Sequence, residues 1–594
     1  MKLTRVLTIA FAASAAAIEQ FPLKYGDQRP NIVVILTDDQ DLHMDSISYM
    51  PLLKKHVIDQ GTFYKSHYCT TAICCPSRVT LWTGRNAHNT NVTDVFPPYG
   101  GYPKFVSQGW NENWLPLWLQ DAGYSTFYTG KLFNAHTVEN WNSPHPKGWT
   151  SSDFLLDPHT YQYLNATFQR NSAPPVSYEG QYSTDVLAEK AYGLLNEGIY
   201  LKQPFFLTVA PVAPHSDVNA STFVDPGAGD ELERITMTAP IPADRHKHLF
   251  PDVKVPRTAN FNPDKPSGAS WIKRLAKLTD EVVEYNDDFY RRRLQALQAV
   301  DELVEGLITR LENYGILDNT YIIYSTDNGY HISQHRLNPG KECSFEEDIN
   351  VPLIIRGPHV PIGETNVVTA HADLAPTILK IASAKWGWSD LDGSPIPLSE
   401  KELEDSKTSR QEHVNVEFWG RGIPEGVHKF SLDDGKIIAY APNNTYKALR
   451  LISPAYNLHY TVWCSNEHEL YDLTASSQSS TDPGQLTNLY PTSELLPRNT
   501  LLGLPLSKVL PRLDALLMVT KSCKGKTCVD PWSVIHPAGN VKTLADALNP
   551  RFDVFYTTIA ESVRFDRCEL GYILESEGPQ RAAVFQDDTG GSEL

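Results

Sequence analysis

Pro30-Asn31-Ile32-Val33-Val34-Ile35-Leu36-Thr37-Asp38-Asp39-Gln40-Asp41 decides the fold class. Its apolar run from Ile32 to Leu36 is rich in β-branched side chains, which suits a strand buried on both faces of a parallel sheet. The acidic cluster then falls at the C-terminal end of that strand, where open α/β sheets carry their ligand sites. The pattern returns at Tyr321-Ile322-Ile323-Tyr324-Ser325-Thr326, which runs into Asp327-Asn328-Gly329. It returns again at Phe205-Phe206-Leu207-Thr208-Val209-Ala210, which leads to Pro211 and His215. Between Arg291 and Glu312, the residues Leu294, Leu297, Val300, Val304, Leu307 and Leu311 recur with the period of an amphipathic helix. A helix feeding a buried strand is α/β grammar. Ala375-Pro376-Thr377-Ile378-Leu379 opens a further helix, whereas Ser216 to about Trp271 is rich in proline, has no sustained period and reads as a long irregular insertion.

At 594 residues the chain is too long for one simple core. Pro395, Pro397 and the charged stretch Glu400 to Arg410 suggest a boundary near 400, with a larger unit over residues 18–400 and a smaller one over 401–594. Apolar residues at 41% and charged residues at 21% are ordinary for a globular protein and argue against wholesale disorder. Acidic residues outnumber basic ones by 70 to 52, a formal charge of -18, which speaks against a nucleic-acid partner. It does not exclude an anionic small substrate, because a cationic pocket can sit inside an acidic surface.

Lys2 and Arg5 precede an alanine-rich apolar run from Val6 to Ala17 that contains no acidic residue. Residues 1–17 therefore read as a secretory signal peptide cleaved near Ala15 or Ala17, with a short buried helix as the competing reading. No later run of about 18 apolar residues follows, and the tail Thr589-Gly590-Gly591-Ser592-Glu593-Leu594 is no membrane anchor. The expected product is soluble, either secreted or held in a lysosome- or vacuole-type compartment. Asn91, Asn165, Asn219 and Asn443 each open an Asn-x-Ser/Thr glycosylation acceptor. Eight cysteines are too few for a disulfide scaffold; Cys523 and Cys528 flank a Lys-Gly-Lys-Thr loop and could pair locally. Cys69, Cys75, Cys343, Cys464 and Cys568 cannot be paired from sequence.

Cys74-Cys75-Pro76-Ser77-Arg78, followed by Thr83-Gly84-Arg85, is hard to explain as packing. It resembles the signature of the sulfatase family. The resemblance extends over about residues 30 to 490 and includes Gly130-Lys131-Leu132, Ala213-Pro214-His215-Ser216, Asp327-Asn328-Gly329-Tyr330-His331, Pro339-Gly340-Lys341 and Asp348-Ile349-Asn350-Val351-Pro352-Leu353. Ile73-Cys74-Cys75-Pro76-Ser77-Arg78, Ala213-Pro214-His215-Ser216, Asp327-Asn328-Gly329-Tyr330-His331 and Asp348-Ile349-Asn350-Val351-Pro352-Leu353 look most like the N-acetylglucosamine-6-sulfatase branch, and enzymes of that look are also named arylsulfatases when they cleave small phenolic sulfates. Two positions depart from the family pattern: Trp82 stands where an aliphatic residue is usual, and Phe133 stands where many members have a histidine, leaving Asn134 or His136 as substitutes.

The resemblance implies an α/β, alkaline-phosphatase-like mixed sheet flanked by helices, with a smaller α+β C-terminal domain. His468-Glu469-Leu470-Tyr471-Asp472-Leu473 and Gln485-Leu486-Thr487-Asn488-Leu489 resemble elements of that domain. It implies that a formylglycine-generating enzyme converts Cys74, before folding, to formylglycine (3-oxoalanine). It also places one calcium ion on Asp38, Asp39, Asp327 and Asn328, with the hydrated residue 74 completing the shell. Four oxygen ligands at strand ends do suit a hard cation better than zinc. Arg78 would support the hydrated aldehyde, Lys131 would bridge it to the sulfate, and Lys341 would be a second sulfate-binding lysine. His215 would contact sulfate and can protonate the leaving oxygen. One hydroxyl of the hydrated aldehyde would attack sulfur in line, the alcohol would leave with a proton from His215 or Lys341, and the second hydroxyl would then expel sulfate. Convergence of cations and a metal on one anionic group is what electrostatic catalysis requires. The competing readings are a phosphatase or phosphodiesterase of the same fold, and an unmodified homologue that binds sulfated glycans. His331 and His335 are four apart, but Gly329, Pro339 and Gly340 disfavour the helix that a zinc pair would need.

Overall fold

The computed structural model describes residues 29–220, 235–385, 390–428, 443–474, 482–490, 500–559 and 561–586; the segment read as a signal peptide and the tail 589–594 lie outside them. In chain order the large sheet takes β1 (Asn31–Thr37), β2 (Thr62–Tyr64), β3 (Ser125–Lys131), β4 (Ser151–Leu155), β5 (Thr167–Arg170), β6 (Val176–Ser177), β7 (Phe205–Ala210), β8 (Thr320–Thr326), β9 (Leu353–Arg356) and β10 (Gly363–Thr365). In space they lie in the order β10-β2-β9-β8-β1-β7-β3-β4-β5-β6. The three runs expected to be buried strands, β8, β1 and β7, are neighbours at the centre and run parallel, as does β3 beside β7. Antiparallel pairing appears outside this core, at β8–β9, β9–β2, β4–β5 and β5–β6.

The faces of this sheet are covered by α1 (Cys74–Thr83), α2 (Ser183–Tyr200), α3 (Asp280–Asn313) and α4 (Leu374–Ile381). Strand alternation sorts the side chains. Val33, Ile35, Leu207, Val209 and Ile322 pack with Leu194 of α2 and Val300, Val304 and Leu307 of α3. Ile32, Val34, Leu36, Phe206 and Ile323 face the opposite way, onto Val79 and Trp82 of α1 and Ile378 of α4. Each such aliphatic side chain stabilises the fold by about 1.5–3 kcal/mol on full burial. Trp82 is fully buried, edge-on to Tyr128 and Phe206 at 6.2 Å from each, so the larger ring fills the space between α1 and strands β3 and β7.

Two expectations change in detail. Helix α3 starts at Asp280, well before Arg291, with Thr279 as its cap. Its early turns are held by polar contacts, Asn286 Nδ2 donating to Ser333 Oγ at 2.8 Å and Asp287 pairing with Arg257, so an apolar period could not show them. The segment after His215 is not wholly irregular either. Asp217–Ala220 and Ile235–Thr238 pair antiparallel, strands too short to give a readable period.

A second, antiparallel sheet follows, built in order from β11 (His413–Phe418), β12 (Tyr446–Ser453), β13 (Tyr456–Trp463) and β14 (His468–Asp472). One face packs Leu449, Leu458 and Val462 against Val509, Leu513 and Leu516 of α5 (Leu506–Thr520). The other face brings Val414, Val416 and Trp463 onto Ile73, Phe345 and Ile349, the segments on which Cys74 and Lys341 are mounted. A buried polar cluster also ties the parts together: Glu417 accepts from Lys447 Nζ at 2.8 Å and pairs with His88 Nδ1 at 2.8 Å, while His88 Nε2 lies 2.7 Å from the carbonyl of Cys523. Cys523 pairs with Cys528, and Cys464 with Cys568; Cys69, Cys74, Cys75 and Cys343 are free and buried. Asn219 and Asn443 are exposed, whereas Asn91 and Asn165 are half-buried. No helix among the described residues is long and apolar enough to cross a membrane.

Candidate active site

Strand register assembles the site. Thr37 of β1 pairs with Thr326 of β8, so Asp38 and Asp327 leave the sheet side by side. Asp38, Asp39, Asp327 and Asn328 are all fully buried. The backbone N–H of Asp39 donates to Asp327 Oδ1 at 3.0 Å, and Asn328 Nδ2 donates to Asp39 Oδ1 at 2.8 Å. These bonds hold Asp39 in the left-handed region at φ +64°, a conformation that persists for a non-glycine residue only where its surroundings over-determine it.

Cys74 opens α1 with its sulfur 3.6 Å from Asp38 Oδ1 and 3.2 Å from Lys341 Nζ. Cys75, one residue on, points instead into the apolar core beneath α1. Arg78 is one helical turn beyond Cys74 and so returns to the same face. Its Nε donates to Asp327 Oδ2 at 2.8 Å, its Nη1 donates to the Lys131 carbonyl at 2.7 Å, and its Nη2 lies 3.5 Å from Asp38 Oδ2. Ser77 Oγ donates to the carbonyl of Asp327 at 2.5 Å and meets His371 Nδ1 at 2.8 Å.

Lys131, at the end of β3, donates from Nζ to Asp38 Oδ2 at 2.5 Å. His215 Nε2 lies 3.5 Å from Asp39 Oδ2, while Nδ1 meets the Ser216 carbonyl at 2.8 Å. A carbonyl can only accept, so the proton is on Nδ1 and Nε2 faces the site. Lys341 donates to Asp39 Oδ1 and pairs with Glu425 Oε1 at 3.0 Å.

Burial pushes the Cys74 thiol well above its usual range, even though Lys131 and Lys341 pull it down, so an unmodified thiol here is a poor nucleophile. Burial also acts to raise Asp39, but Lys341 and His215 outweigh it and hold the carboxyl at about 2. Asp327 is likewise driven low, since burial is overcome by Arg78 and then Lys131. Asp38 goes the other way, raised by burial and by its neighbour Asp327. Crowded carboxylates of this kind call for cations.

Asp39 Oδ2 and Asn328 Oδ1 are buried acceptors without a hydrogen-bond donor among the described residues. Such oxygens beside three carboxylates fit a hard divalent cation. Asp38, Asp39, Cys74 and His215 each bring one donor atom within 4.8 Å of the others.

The structure thus brings together Cys74, Arg78, Lys131, His215, Lys341, Asp38, Asp39, Asp327 and Asn328, each placed by the sequence near this centre. His331 pairs with Asp348 at 2.8 Å, whereas His335 stacks on Phe345 with ring centroids 3.8 Å apart. Phe133 and His136 turn into aromatic packing around Phe105 and Tyr102. Asn134 reaches the site's edge, donating to the hydroxyl of Tyr161 at 2.7 Å. Tyr161 itself, missed by the sequence reading, lies under Lys131 Nζ at 4.7 Å and against the His215 ring at 4.3 Å. Glu425 was missed as well, and no sequence signal marks it.

A family model described as Sulfatase matches residues 30–384. The chain belongs to the sulfatase family. As a sulfatase it is a sulfuric ester hydrolase. It is 37% identical to an arylsulfatase of Volvox carteri over 575 residues, 93% of this chain and 82% of the relative. It is 32% identical to the N-acetylglucosamine-6-sulfatase of Homo sapiens over 533 residues, 86% of this chain and 88% of the relative. A solved structure described as a complex with its substrate D-glucosamine-2-N,6-O-disulfate superposes with a TM-score of 0.59 at 20% identity, covering 78% of this sulfatase and 94% of that chain. That likeness bears on the fold, an alkaline-phosphatase-like mixed sheet with a smaller antiparallel sheet behind it.

Proposed function

We propose that this sulfatase hydrolyses sulfate monoesters through residue 74, converted from cysteine to formylglycine, beside a calcium ion held by Asp38, Asp39, Asp327 and Asn328. The observation that carries the reading is the placement of the Cys74 sulfur between Lys341 and Asp38, while Cys75 is directed into the core. Hydrated formylglycine supplies a geminal diol, with one hydroxyl to attack sulfur and a second to let sulfate depart, and the cation supplies charge neutralisation at the sulfuryl oxygens.

The chain's own side chains do the rest. Lys131 and Lys341 bind the sulfate oxygens, Arg78 fixes Asp327 and the end of β3, and His215 Nε2 or Lys341 Nζ supplies the proton to the leaving oxygen. The natural ester is a carbohydrate sulfate of the hexosamine 6-sulfate type or a small phenolic sulfate, the substrates named by the relatives above. His215 is the one histidine in the donor cluster among the described residues, which suits this chemistry better than the histidine-rich zinc pair of a phosphatase.

Residues 18–400 form the catalytic unit and 401–594 the smaller one. The two disulfides, the glycosylation acceptors and the N-terminal segment support passage through an oxidising secretory compartment, where a formylglycine-generating enzyme would act on Cys74. Mass spectrometry of the tryptic peptide containing Cys74 tests the reading: an aldehyde in place of the thiol is expected, and an intact thiol in active enzyme would overturn it.

A further inference from the structure

Glu425 lies in the connection between β11 and β12, outside every motif quoted above, yet its carboxylate reaches the end of the large sheet where Cys74 stands. Its backbone is fastened on two sides. The N–H donates to the carbonyl of Pro339 at 2.7 Å, and Ser216 Oγ donates to its carbonyl at 3.1 Å. Glu425 is therefore wedged between the loop that carries Lys341 and the loop that carries His215. Gly426 secures this passage, because a Cβ there would come within 2.5 Å of the Phe289 ring on α3.

The two carboxylate oxygens have different surroundings. Oε1 is neutralised by Lys341 Nζ at 3.0 Å. Oε2 is buried and has no hydrogen-bond donor among the described residues. A buried carboxylate oxygen left in that state is costly. A free hydroxyl on the alcohol part of the ester would satisfy it.

We infer that Glu425 Oε2 accepts a hydrogen bond from a hydroxyl of the departing alcohol, which makes Glu425 a specificity-determining residue for hydroxyl-bearing, carbohydrate-type sulfate esters over phenol sulfates. The inference rests on the sulfate ester hydrolysis proposed above. A site built to bind a hydroxyl discriminates strongly against substrates that lack it, because its own polar group is then left unpaired.

The test measures kcat/KM for the wild type and Glu425→Gln on a hexosamine 6-sulfate, on its analogues lacking one hydroxyl at a time, and on 4-nitrophenyl sulfate. One hydroxyl deletion is expected to slow the wild type by about tenfold or more and to leave the Glu425→Gln rate on that sugar almost unaltered, the signature of a coupled pair. The sugar-to-phenol ratio should fall by about tenfold or more in the variant. Equal slowing of sugar and phenol sulfates overturns the inference, and so does a set of hydroxyl deletions that each slow Glu425→Gln as much as the wild type, the result expected if Glu425 merely holds Lys341. So does a wild type indifferent to every hydroxyl deletion, whether or not the variant folds. A wild type that cleaves the phenol sulfate and no sugar sulfate overturns it too, yet leaves the sulfatase reading standing. Cleavage of neither, with residue 74 converted, overturns both.

Discussion

Lys341 Nζ stands 3.2 Å from the Cys74 sulfur, so the atom that the proposed conversion would exchange already touches a buried cation. Cys75 lies in the apolar core beneath α1, and burial pushes its thiol up to about 12. Cys74→Ala should therefore lower sulfate ester hydrolysis by about 10³-fold or more, the scale of removing a nucleophile. Cys75→Ala should keep a substantial part of the activity. Equal loss in both variants, each folded by circular dichroism, removes the nucleophile assignment.

Asp327 accepts from the backbone of Asp39 and of Asn328 through one oxygen and from Arg78 through the other. Asp327→Ala should lower calcium content, read by elemental mass spectrometry, together with turnover, because an anionic oxygen donor is lost from the proposed hard-cation site. Full activity with undiminished calcium would sink the assignment.

His215 and Lys341 approach from different loops, and both are proposed to serve the sulfate and the departing oxygen. General acid help matters most for a basic leaving group and is typically worth about 10²- to 10⁴-fold. His215→Ala and Lys341→Ala should each slow a sugar sulfate more than an activated phenol sulfate. If both substrates slow by one factor, these residues bind sulfate without protonating the alcohol.

Glu417 gives a prediction about stability. Burial would raise its carboxyl, but His88 and Lys447 hold it at about 2, below its ordinary value of 4.5. A depressed carboxyl contributes stability that is present above the unfolded value and is lost as pH falls through the folded one. Glu417→Ala should cost about 3–5 kcal/mol at pH 7, as when one partner of a buried pair is removed. In urea unfolding, the gap between wild type and variant should narrow as pH drops from about 4.5 toward 2. A gap that stays constant over that range would exclude the ion pair as its source.

Asp38, Asp39, Asp327 and Asn328 were legible in the sequence because each pair ends a continuous apolar run, and a buried parallel strand can deliver residues only to its own end. The centre of the sheet was readable for the same reason. The early turns of α3 were not, since Asn286 and Asp287 are buried through hydrogen bonds, which leave no apolar period. Glu425 was illegible for a deeper reason. Its contact with Lys341 depends on how the second sheet docks on Ile73 and Phe345, and docking geometry has no local signature. Tyr161 escaped likewise, being one aromatic residue among many until β3 and β7 bring Lys131 and His215 to it.

The pairing of β1 with β8 also sets a clock. Cys74 is only 2% exposed in the folded chain, so the modifying enzyme proposed above would have to reach it while the chain is still open. The central strand β1 gains this neighbour only once Thr326 has been made, about 250 residues after Cys74. At translation rates of about 5–20 residues per second, that delay leaves the cysteine open for roughly 10 to 50 s. A circular permutant that brought β8 ahead of β1 would close the sheet sooner, and should emerge from the ribosome with more unconverted thiol.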